Sequence, residues 1–417
     1  MNSDHHGIQH ELDDDSVIVV IGSGAGGAVI ANELCQRGHR VVMLEAGPFL
    51  YPADYRNDEF FAFQQLTWLD RREATGSWSV ARTSPGMPSY TAKVVGGTTA
   101  LWGALAFRIQ DHELRARSSY GQVDGADLAD WPLTAAELDP WWTLAESRMG
   151  VTGTHGIPLL PVTNSYKVLY AGASRIGYRR IANDRHAINS RPRDGRPSCL
   201  QLGFCGQGCK STAKWSTTYT EIPAALATGK LDLRTRSMAL RLEHRRADRV
   251  NAVLYADAEG RQQRQQAAAI VIAGNAVETP RLLLNSESGV APQGLGNGNG
   301  LVGRYYTRHV NASLFGLFPE QVEMERGVAM SGTVYDEMGH DPSRGFVGGY
   351  MFQGVQVGVP YLAAVINPEG WGPSFTRFIG RYDHLAGVWL NGEDLPRAGN
   401  RITLPRSEKA QHGLPLA

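Results

Sequence analysis

The apolar and polar positions of the chain predict a βαβ unit close to its N-terminus. Ser16 to Ile21 is a continuous, mostly β-branched apolar run, as is typical of a strand buried in a parallel sheet. After a glycine-rich turn, Ala28 to Gln36 has the pattern of a helix, and Arg40 to Leu44 predicts a second strand. From residue 309 onward the pattern changes to short alternating strands with Gly and Pro turns, which favours an antiparallel sheet.

The glycine-rich turn fits the pattern G-x-G-x-x-G at Gly22, Gly24 and Gly27. Gly22 permits the tight turn, Gly24 lets the backbone approach a pyrophosphate, and Gly27 lets the helix pack close to the strand. The helix N-terminus would offer free N–H groups and a positive dipole to phosphates. Glu45 ends the second strand, where its carboxylate would bind ribose hydroxyls and repel the 2′-phosphate of NADP. The unit therefore predicts dinucleotide binding, and it does not by itself distinguish NAD from FAD.

Four further segments resemble the glucose–methanol–choline (GMC) oxidoreductases, in particular the large subunits of bacterial sugar and alcohol dehydrogenases. Their order and separation are those of the family, and they lie at residues 45–48, 95–104, 275–286 and 301–309. Asn275 stands where the family more often has Gly. Thr279 and Pro280 predict a helix start, because a hydroxyl N-cap is followed by Pro. The resemblance extends from about residue 16 to about residue 405 and favours FAD over NAD.

The resemblance implies an α/β fold in which a Rossmann-like FAD-binding domain is joined to an α+β substrate domain built on a mainly antiparallel sheet. The FAD-binding domain would be discontinuous and include residues 15–110 and 205–308. Residues 111–204 would form a helical and loop insertion with a cysteine loop, and residues 309–417 the substrate domain, expected to be truncated at its C-terminus. Residues 1–14 are polar and are expected to be a disordered tail.

The cofactor implied by the resemblance is FAD. In the family, the segment that corresponds to residues 95–104, here called the Gly-Gly loop, runs past the flavin ring and the pyrophosphate. Paired glycines allow backbone amides to face a flat ring or a phosphate. No His lies between Lys93 and Arg108, where some family members attach FAD covalently, so we predict non-covalent FAD. The fingerprint and the resemblance together assign to FAD the residues Gly22, Ser23, Gly24, Ala25, Gly27, Glu45, Ala46, Gly96, Gly97, Thr98, Thr99, Trp102, Gly103, Met238, Ala239, Asn275, Glu278 and Thr279.

The activity implied by the resemblance is oxidation of the CH–OH group of a sugar, a polyol or another alcohol, with hydride transfer to flavin N5. In the family a His near the C-terminus acts as the base, and none of the 12 histidines here stands in a matching context. His309 and His412 are interpreted as structural and loop residues. The family's C-terminal catalytic region is expected to be missing, so we assign no catalytic residue. A truncated, catalytically inert FAD-binding chain is the alternative function.

Three of the four cysteines lie in one glycine-containing loop with the spacing C-x5-C-x3-C, at Cys199, Cys205 and Cys209. Thiolates are the usual ligands of iron–sulfur clusters, and three of them would suit a 3Fe-4S cluster, or a 4Fe-4S cluster with an outside ligand. The spacing resembles that of cluster-bearing sugar dehydrogenase subunits of the family. A disulfide with a free thiol, or buried thiols, are the alternatives. A cluster would favour a dehydrogenase with an electron-transfer partner subunit over an oxidase.

The predicted insertion contains a helix that begins at a capping box. Thr134 and Glu137 have the spacing in which each side chain caps the other's backbone N–H, so a helix is expected from there to about Met149. Trp141 and Trp142 are expected on its apolar face, packed in the core rather than lining a substrate cleft.

Composition and charge exclude several other classes of protein. The 41 basic and 41 acidic side chains give a formal net charge of zero, which does not favour a nucleic-acid partner. No apolar stretch reaches the ~18 residues of a membrane span, and the polar N-terminus does not resemble a signal peptide. We therefore expect a cytoplasmic location and a small-molecule alcohol or sugar substrate. Export with a signal-bearing partner is the alternative.

Overall fold

The computed structural model describes residues 4–59, 62, 91–246, 249–359, 370–405, 407, 409, 411–415 and 417. Its described strands form three sheets, one mainly parallel and two antiparallel. Together with the helices, they confirm the predicted α/β fold class with a second, antiparallel sheet. In chain order the strands are β1 (His5–Gly7), β2 (Ile18–Ile21), β3 (Val41–Leu44), β4 (Ile181–Ala182), β5 (Leu231–Arg234), β6 (Met238–Arg246), β7 (Arg249–Ala256), β8 (Gln262–Gln266), β9 (Ala269–Ile272), β10 (Val310–Leu317), β11 (Met330–Val334), β12 (Tyr350–Val355) and β13 (Leu385–Gly392).

The helices connect and cover these sheets. No helix within the described ranges is both long and apolar enough to cross a membrane. The α-helices are α1 (Ala25–Gln36), α2 (Asp111–Leu114), α3 (Ala116–Tyr120), α4 (Ala135–Met149), α5 (Asn164–Arg175), α6 (Glu221–Ala227), α7 (Asn275–Asn285) and α8 (Gly372–Ile379). Short 3₁₀ helices lie at Gly97–Ala100, Cys205–Gln207, Pro342–Arg344, Tyr382–His384 and Gln411–Gly413.

The first sheet has the order β1-β5-β3-β2-β9. All of its strands except β1 run parallel to one another. Side chains alternate between its two faces. Val20 and Met43 pack in one core with Ala28 of α1, while Val19 packs in another core with Leu282 of α7. Because β2 and β3 are covered on both faces, their sequences are uninterrupted apolar runs, as the sequence pattern predicted.

The expectation of a disordered N-terminal tail is wrong for the described part of residues 1–14. His5–Gly7 pairs antiparallel with β5 and extends the sheet by one strand. The polar tail is held by the buried ion pair of Asp232 and Arg234 in β5. Asp232 accepts from the backbone N–H of His10 at 3.0 Å, and Arg234 donates to the backbone carbonyl of His10 at 2.8 Å. These backbone contacts order a segment whose side chains carry no apolar signal.

The second five-stranded sheet has the order β10-β13-β12-β11-β4 and is antiparallel throughout. Strand β4 comes from the predicted insertion, and α5 of the same region packs on β11, β12 and β13. Part of residues 111–204 therefore lies against this sheet, and the division of the chain into domains stays a prediction. The third sheet, β6-β7-β8, packs through Leu242 and Val253 in the same core as β2.

Helix α4 begins at the predicted capping box. Thr134 accepts from the backbone N–H of Glu137 at 3.2 Å, and Glu137 accepts from that of Thr134 at 2.8 Å. The expectation that its tryptophans pack in the core is wrong for Trp141, which is 68% exposed. The helix is attached instead through a polar residue: buried Glu146 receives two hydrogen bonds from Arg108, at 2.7 and 2.6 Å.

Candidate functional site

A cavity of about 300 Å³ lies at the carboxyl ends of β2, β3 and β9, where α1 begins. In parallel α/β sheets this edge is where ligands bind, because the loops and helix N-termini converge there. The cavity is lined by the glycine-rich turn, by the end of β3, by the Gly-Gly loop and by the start of α7. Four segments of the chain that are far apart in sequence therefore meet around one space.

Glycine occupies each of the three fingerprint positions for a different structural reason. Gly22 has a φ of +96°, a left-handed conformation that favours glycine. A Cβ on Gly27 would lie 1.9 Å from the carbonyl oxygen of Gly22, so only glycine permits this contact between helix and strand. A Cβ on Gly24 would meet no atom within 4 Å, and Gly24 lines the cavity. The room beside Gly24 is thus left open for a ligand that approaches the backbone.

Glu45 is a buried carboxylate at the rim of this cavity. Its Oε2 accepts from the backbone N–H and the hydroxyl of Ser23, at 3.0 and 2.5 Å, and its Oε1 accepts from the N–H of Gly47 at 2.9 Å. Burial raises the pKa of the Glu45 carboxyl, while these hydrogen bonds oppose the shift. Oε2 already accepts two hydrogen bonds, whereas Oε1 accepts one, so the second lone pair of Oε1 can still accept from a ribose hydroxyl.

Ser23 connects the fingerprint turn to the Gly-Gly loop. Its hydroxyl accepts from the backbone N–H of Gly96 at 2.9 Å, and its carbonyl accepts from the hydroxyl of Thr217 at 2.9 Å. Gly96 has a φ of +91°, and a Cβ there would lie 2.1 Å from Oγ1 of Thr218. The loop is therefore held against the turn by a specific polar network that requires glycine at this position.

Asn275, the departure from the family pattern, occupies a left-handed conformation with a φ of +85°. Asn tolerates this region better than other non-glycine residues. Its side-chain oxygen accepts from the backbone N–H groups of Val277 and Glu278, at 2.8 and 3.0 Å, and so caps the helix. The prediction that the helix starts at Thr279 is therefore wrong: α7 begins at Asn275, and Pro280 lies inside it.

Most of the residues predicted for FAD meet in this cavity, and five do not. Gly27 and Gly96 are in packing contacts instead, Thr279 does not line the cavity, and Trp102 and Gly103 line a second one. The assignment of individual residues to FAD stays a prediction. Those that line the cavity are Gly22, Ser23, Gly24, Ala25, Glu45, Ala46, Gly97, Thr98, Thr99, Met238, Ala239, Asn275 and Glu278.

Several lining residues escaped the sequence analysis, among them Arg281, Asn285 and Leu414. Arg281 and Asn285 follow Glu278 at helical spacing, so all three face the cavity from α7, and Arg281 pairs with the Glu278 carboxylate. This spacing was the signal that could have identified them. Leu414 packs beside Met238 near the end of the chain, and no local pattern predicts that contact.

A second cavity, of about 470 Å³, adjoins the first, and Thr98 lines both. Trp102 and Gly103 continue the Gly-Gly loop along its wall. The opposite sides come from the antiparallel sheet and from the cysteine loop. The lining includes His309, which the sequence analysis interpreted as structural; the other residues are Glu59, Leu101, Gly206, Gln207, Tyr306, Arg308, Asn311, Ala329, Met330, Gln356, Val357 and Trp389.

The cysteine loop contributes Gly206 and Gln207 to the lining of this second cavity. Cys199, Cys205 and Cys209 are free thiols that pack beside a common apolar core with Trp215. Burial raises the pKa of the Cys199 thiol to about 11 and also raises that of Cys205. Within the described ranges no group of three or more His, Cys, Asp or Glu side chains is arranged to hold a metal ion. The geometry therefore gives the iron–sulfur interpretation no support.

Comparison with known proteins gives the family. Residues 18–311 match the GMC oxidoreductase family. The chain is 30% identical to 2-methyl-1,2-propanediol dehydrogenase of Mycolicibacterium austroafricanum over 97% of this chain and 76% of that protein. It is 34% identical to paromamine 6′-oxidase of Streptomyces fradiae over 73% of this chain but only 56% of that protein. It is 26% identical to the fructose dehydrogenase large subunit of Gluconobacter japonicus over 95% of this chain and 78% of that protein.

The solved structure of pyridoxine 4-oxidase from Mesorbium loti has the same fold, with a TM-score of 0.57 and 16% identity over 94% of this chain and 72% of that chain. The chain belongs to the GMC oxidoreductases, the FAD-dependent enzymes that act on the CH–OH groups of alcohols and sugars. The resemblance stated from the sequence is thereby confirmed.

Proposed function

We propose that this chain binds FAD non-covalently in the 300 Å³ cavity and oxidises an alcohol in the adjoining 470 Å³ cavity. The observation that carries the proposal is that Thr98 belongs to both cavities. A dinucleotide whose phosphates lie at the glycine-rich turn would therefore direct its far end toward the second cavity. Bound FAD would supply the hydride acceptor that no side chain can provide.

The lining of the first cavity fits a dinucleotide along its length. Met238 and Leu414 offer apolar contacts for a base, and Glu45 offers acceptors for ribose hydroxyls. The first N–H groups of α1, beside Gly24, have no partner within the helix and face phosphates with the positive end of the dipole. Different parts of the cofactor would thus meet residues of matching chemistry.

The second cavity fits a hydroxylated substrate. Its volume lies in the range of about 300–1,000 Å³ that small-molecule sites occupy. Trp102 and Trp389 offer indole faces, and Asn311 and Gln356 offer amides. Oε1 of Gln207 is buried and has no hydrogen-bond partner among the described residues. An unpaired buried acceptor is costly, and a substrate hydroxyl would satisfy it. We therefore propose a sugar or another polyol as the substrate class.

The substrate cavity is tested with Trp389→Ala. Aromatic contacts are worth about 1 kcal/mol each, so KM for a polyol should rise roughly fivefold or more. Trp371, which is 85% exposed, provides the matched control, since Trp371→Ala should leave KM unchanged. Equal KM values for the wild type and Trp389→Ala would place the substrate elsewhere.

The cofactor is tested first by the absorption spectrum of the purified protein. Flavin bands that leave the protein on acid precipitation would establish non-covalent FAD, and flavin that stays with the precipitate would contradict it. Anaerobic addition of sugars, polyols and simple alcohols then tests the activity. Bleaching of the flavin by any of them excludes the inert alternative; a flavin that none of them reduces favours it.

The electron acceptor belongs to the same proposal. One relative is the large subunit of a fructose dehydrogenase, and this supports transfer to a partner subunit rather than to oxygen. The iron–sulfur cluster at Cys199, Cys205 and Cys209 stays a prediction. Iron and sulfide assays on anaerobically purified protein test it, since about three or four irons per chain would establish a cluster and their absence would leave three structural thiols.

A further inference from the structure

Lys214 is a buried lysine that lines neither cavity. Its side chain is 1% exposed. The ammonium Nζ donates to the carbonyl oxygens of Ala100 at 3.0 Å, Trp102 at 2.8 Å and Cys205 at 2.5 Å. An ammonium has three N–H donors, so these three carbonyls satisfy all of its hydrogen bonds.

The three carbonyls belong to two different loops. Ala100 and Trp102 lie in the Gly-Gly loop, which forms the shared wall of the two cavities, whereas Cys205 lies in the cysteine loop. The backbone N–H of Lys214 also donates to Sγ of Cys209 at 3.4 Å. Lys214 therefore joins the two loops, and it lines neither cavity.

Burying the positive charge of Lys214 in this position costs free energy. Burial lowers the pKa of the Lys214 ammonium to about 8, and the described groups that oppose this shift are Cys205 and Cys209, with no carboxylate among them. Burying a cation without a counter-ion is unfavourable, and an apolar side chain of similar length would fill the same space without that cost. The side chain thus does something that volume alone does not explain.

We propose that Lys214 is a positioning residue for the flavin. Its hydrogen bonds fix the backbone at Ala100 and Trp102, and this keeps the Gly-Gly loop in the shape that would receive the flavin ring. Its positive charge behind the wall favours the reduced flavin, because charge-stabilising groups act strongly in a dry interior. The inference rests on the proposed function, since it requires FAD at the junction of the two cavities.

The test compares Lys214→Met with Lys214→Arg and with Lys210→Met. Met keeps the length and removes the charge and all three donors, Arg keeps both charge and donors, and exposed Lys210 provides the control from the same segment. We expect Lys214→Met to lower the flavin midpoint potential and to slow flavin reduction by substrate about 10- to 100-fold, with KM little changed, because small displacements of reacting groups have effects of that size. Lys210→Met should match the wild type.

A second readout needs no cofactor. The indole of Trp102 donates to the carbonyl of Trp215 at 3.1 Å, and the two rings are in edge contact at 5.8 Å. Their near-ultraviolet circular dichroism in the apoprotein should change in Lys214→Met and not in Lys210→Met.

Three outcomes separate the possibilities. A folded Lys214→Met protein with wild-type potential, reduction rate and dichroism would overturn the inference. If Lys214→Met does not fold, the Lys214→Arg variant decides. It retains the charge and should therefore keep the flavin midpoint potential at the wild-type value, so a shifted potential overturns the inference. A wild type that binds no FAD would refute the proposed function, and the dichroism of the apoprotein would still test the loop contact.

Discussion

Gly24→Ala separates the binding of a dinucleotide from the folding of the chain. The backbone at Gly24 has a φ of −65° and a ψ of −167°, which alanine can adopt, and the added Cβ would touch no protein atom within 4 Å. The methyl group would instead enter the cavity that Gly24 lines, where we propose that the backbone approaches the pyrophosphate of FAD. Loss of one hydrogen bond to a charged phosphate costs about 1.5–3 kcal/mol, or roughly 10- to 150-fold in Kd for FAD.

The assay measures Kd for FAD by titrating the apoprotein, together with the free energy of unfolding of the apoprotein. We expect Gly24→Ala to weaken binding by that factor and to leave apoprotein stability within about 1 kcal/mol, because a lost N-cap glycine and a gain in chain stiffness oppose each other. Gly27→Ala is the contrasting variant. Its Cβ would lie 1.9 Å from the Gly22 carbonyl, so it should destabilise the apoprotein by about 1–3 kcal/mol. FAD binding by Gly24→Ala as tight as that of the wild type would refute the reasoning.

Two further predictions concern buried charges. Burial raises the pKa of Asp184 to about 6 from its usual 3.8, so the folded state binds this proton more tightly than the unfolded state. The contribution of Asp184 to stability is therefore fully present below pH 3.8 and is lost as the pH rises through about 6. Relative to Asp184→Asn, urea unfolding should show a loss of about 3 kcal/mol across that window, and a constant difference would contradict the pKa shift. Arg108→Met leaves buried Glu146 without its main partner and should destabilise by about 3 kcal/mol. Adding Glu146→Gln should restore part of that loss, with a coupling energy of about 1–3 kcal/mol in a double-mutant cycle; simple additivity of the two changes would show that the pair contributes little.

Local signals in the sequence determined the core of the nucleotide-binding unit. The fingerprint glycines, the apolar strands and the acidic strand end are set by short-range geometry, since a tight turn and a close helix–strand contact leave few residue types. The capping box at Thr134 is local in the same way, and it placed the start of α4 correctly. The family resemblance then supplied the Gly-Gly loop and the antiparallel sheet.

Errors arose where the outcome depended on contacts distant in the chain. The tail at His5–Gly7 became a strand because β5 offers an open edge and the Asp232–Arg234 pair binds its backbone. Trp141 was expected in the core, yet it is exposed, because other segments of the protein cover a different face of α4. The helix at Asn275 began early because its side chain caps the first turn in a left-handed conformation that no spacing rule anticipates.

The sequence by itself thus determined the class of fold and the kind of ligand, because a few glycines and strand patterns specify a dinucleotide turn whatever surrounds it. Only the tertiary structure decided that Thr98 is shared by two cavities, that Gln207 presents an unpaired acceptor, and that Lys214 holds the wall between them. The contacts of Lys214 with Ala100 and Trp102, for example, join positions that are 114 and 112 residues apart. Such contacts follow from packing and hydrogen-bond satisfaction over the whole molecule, which no local pattern encodes.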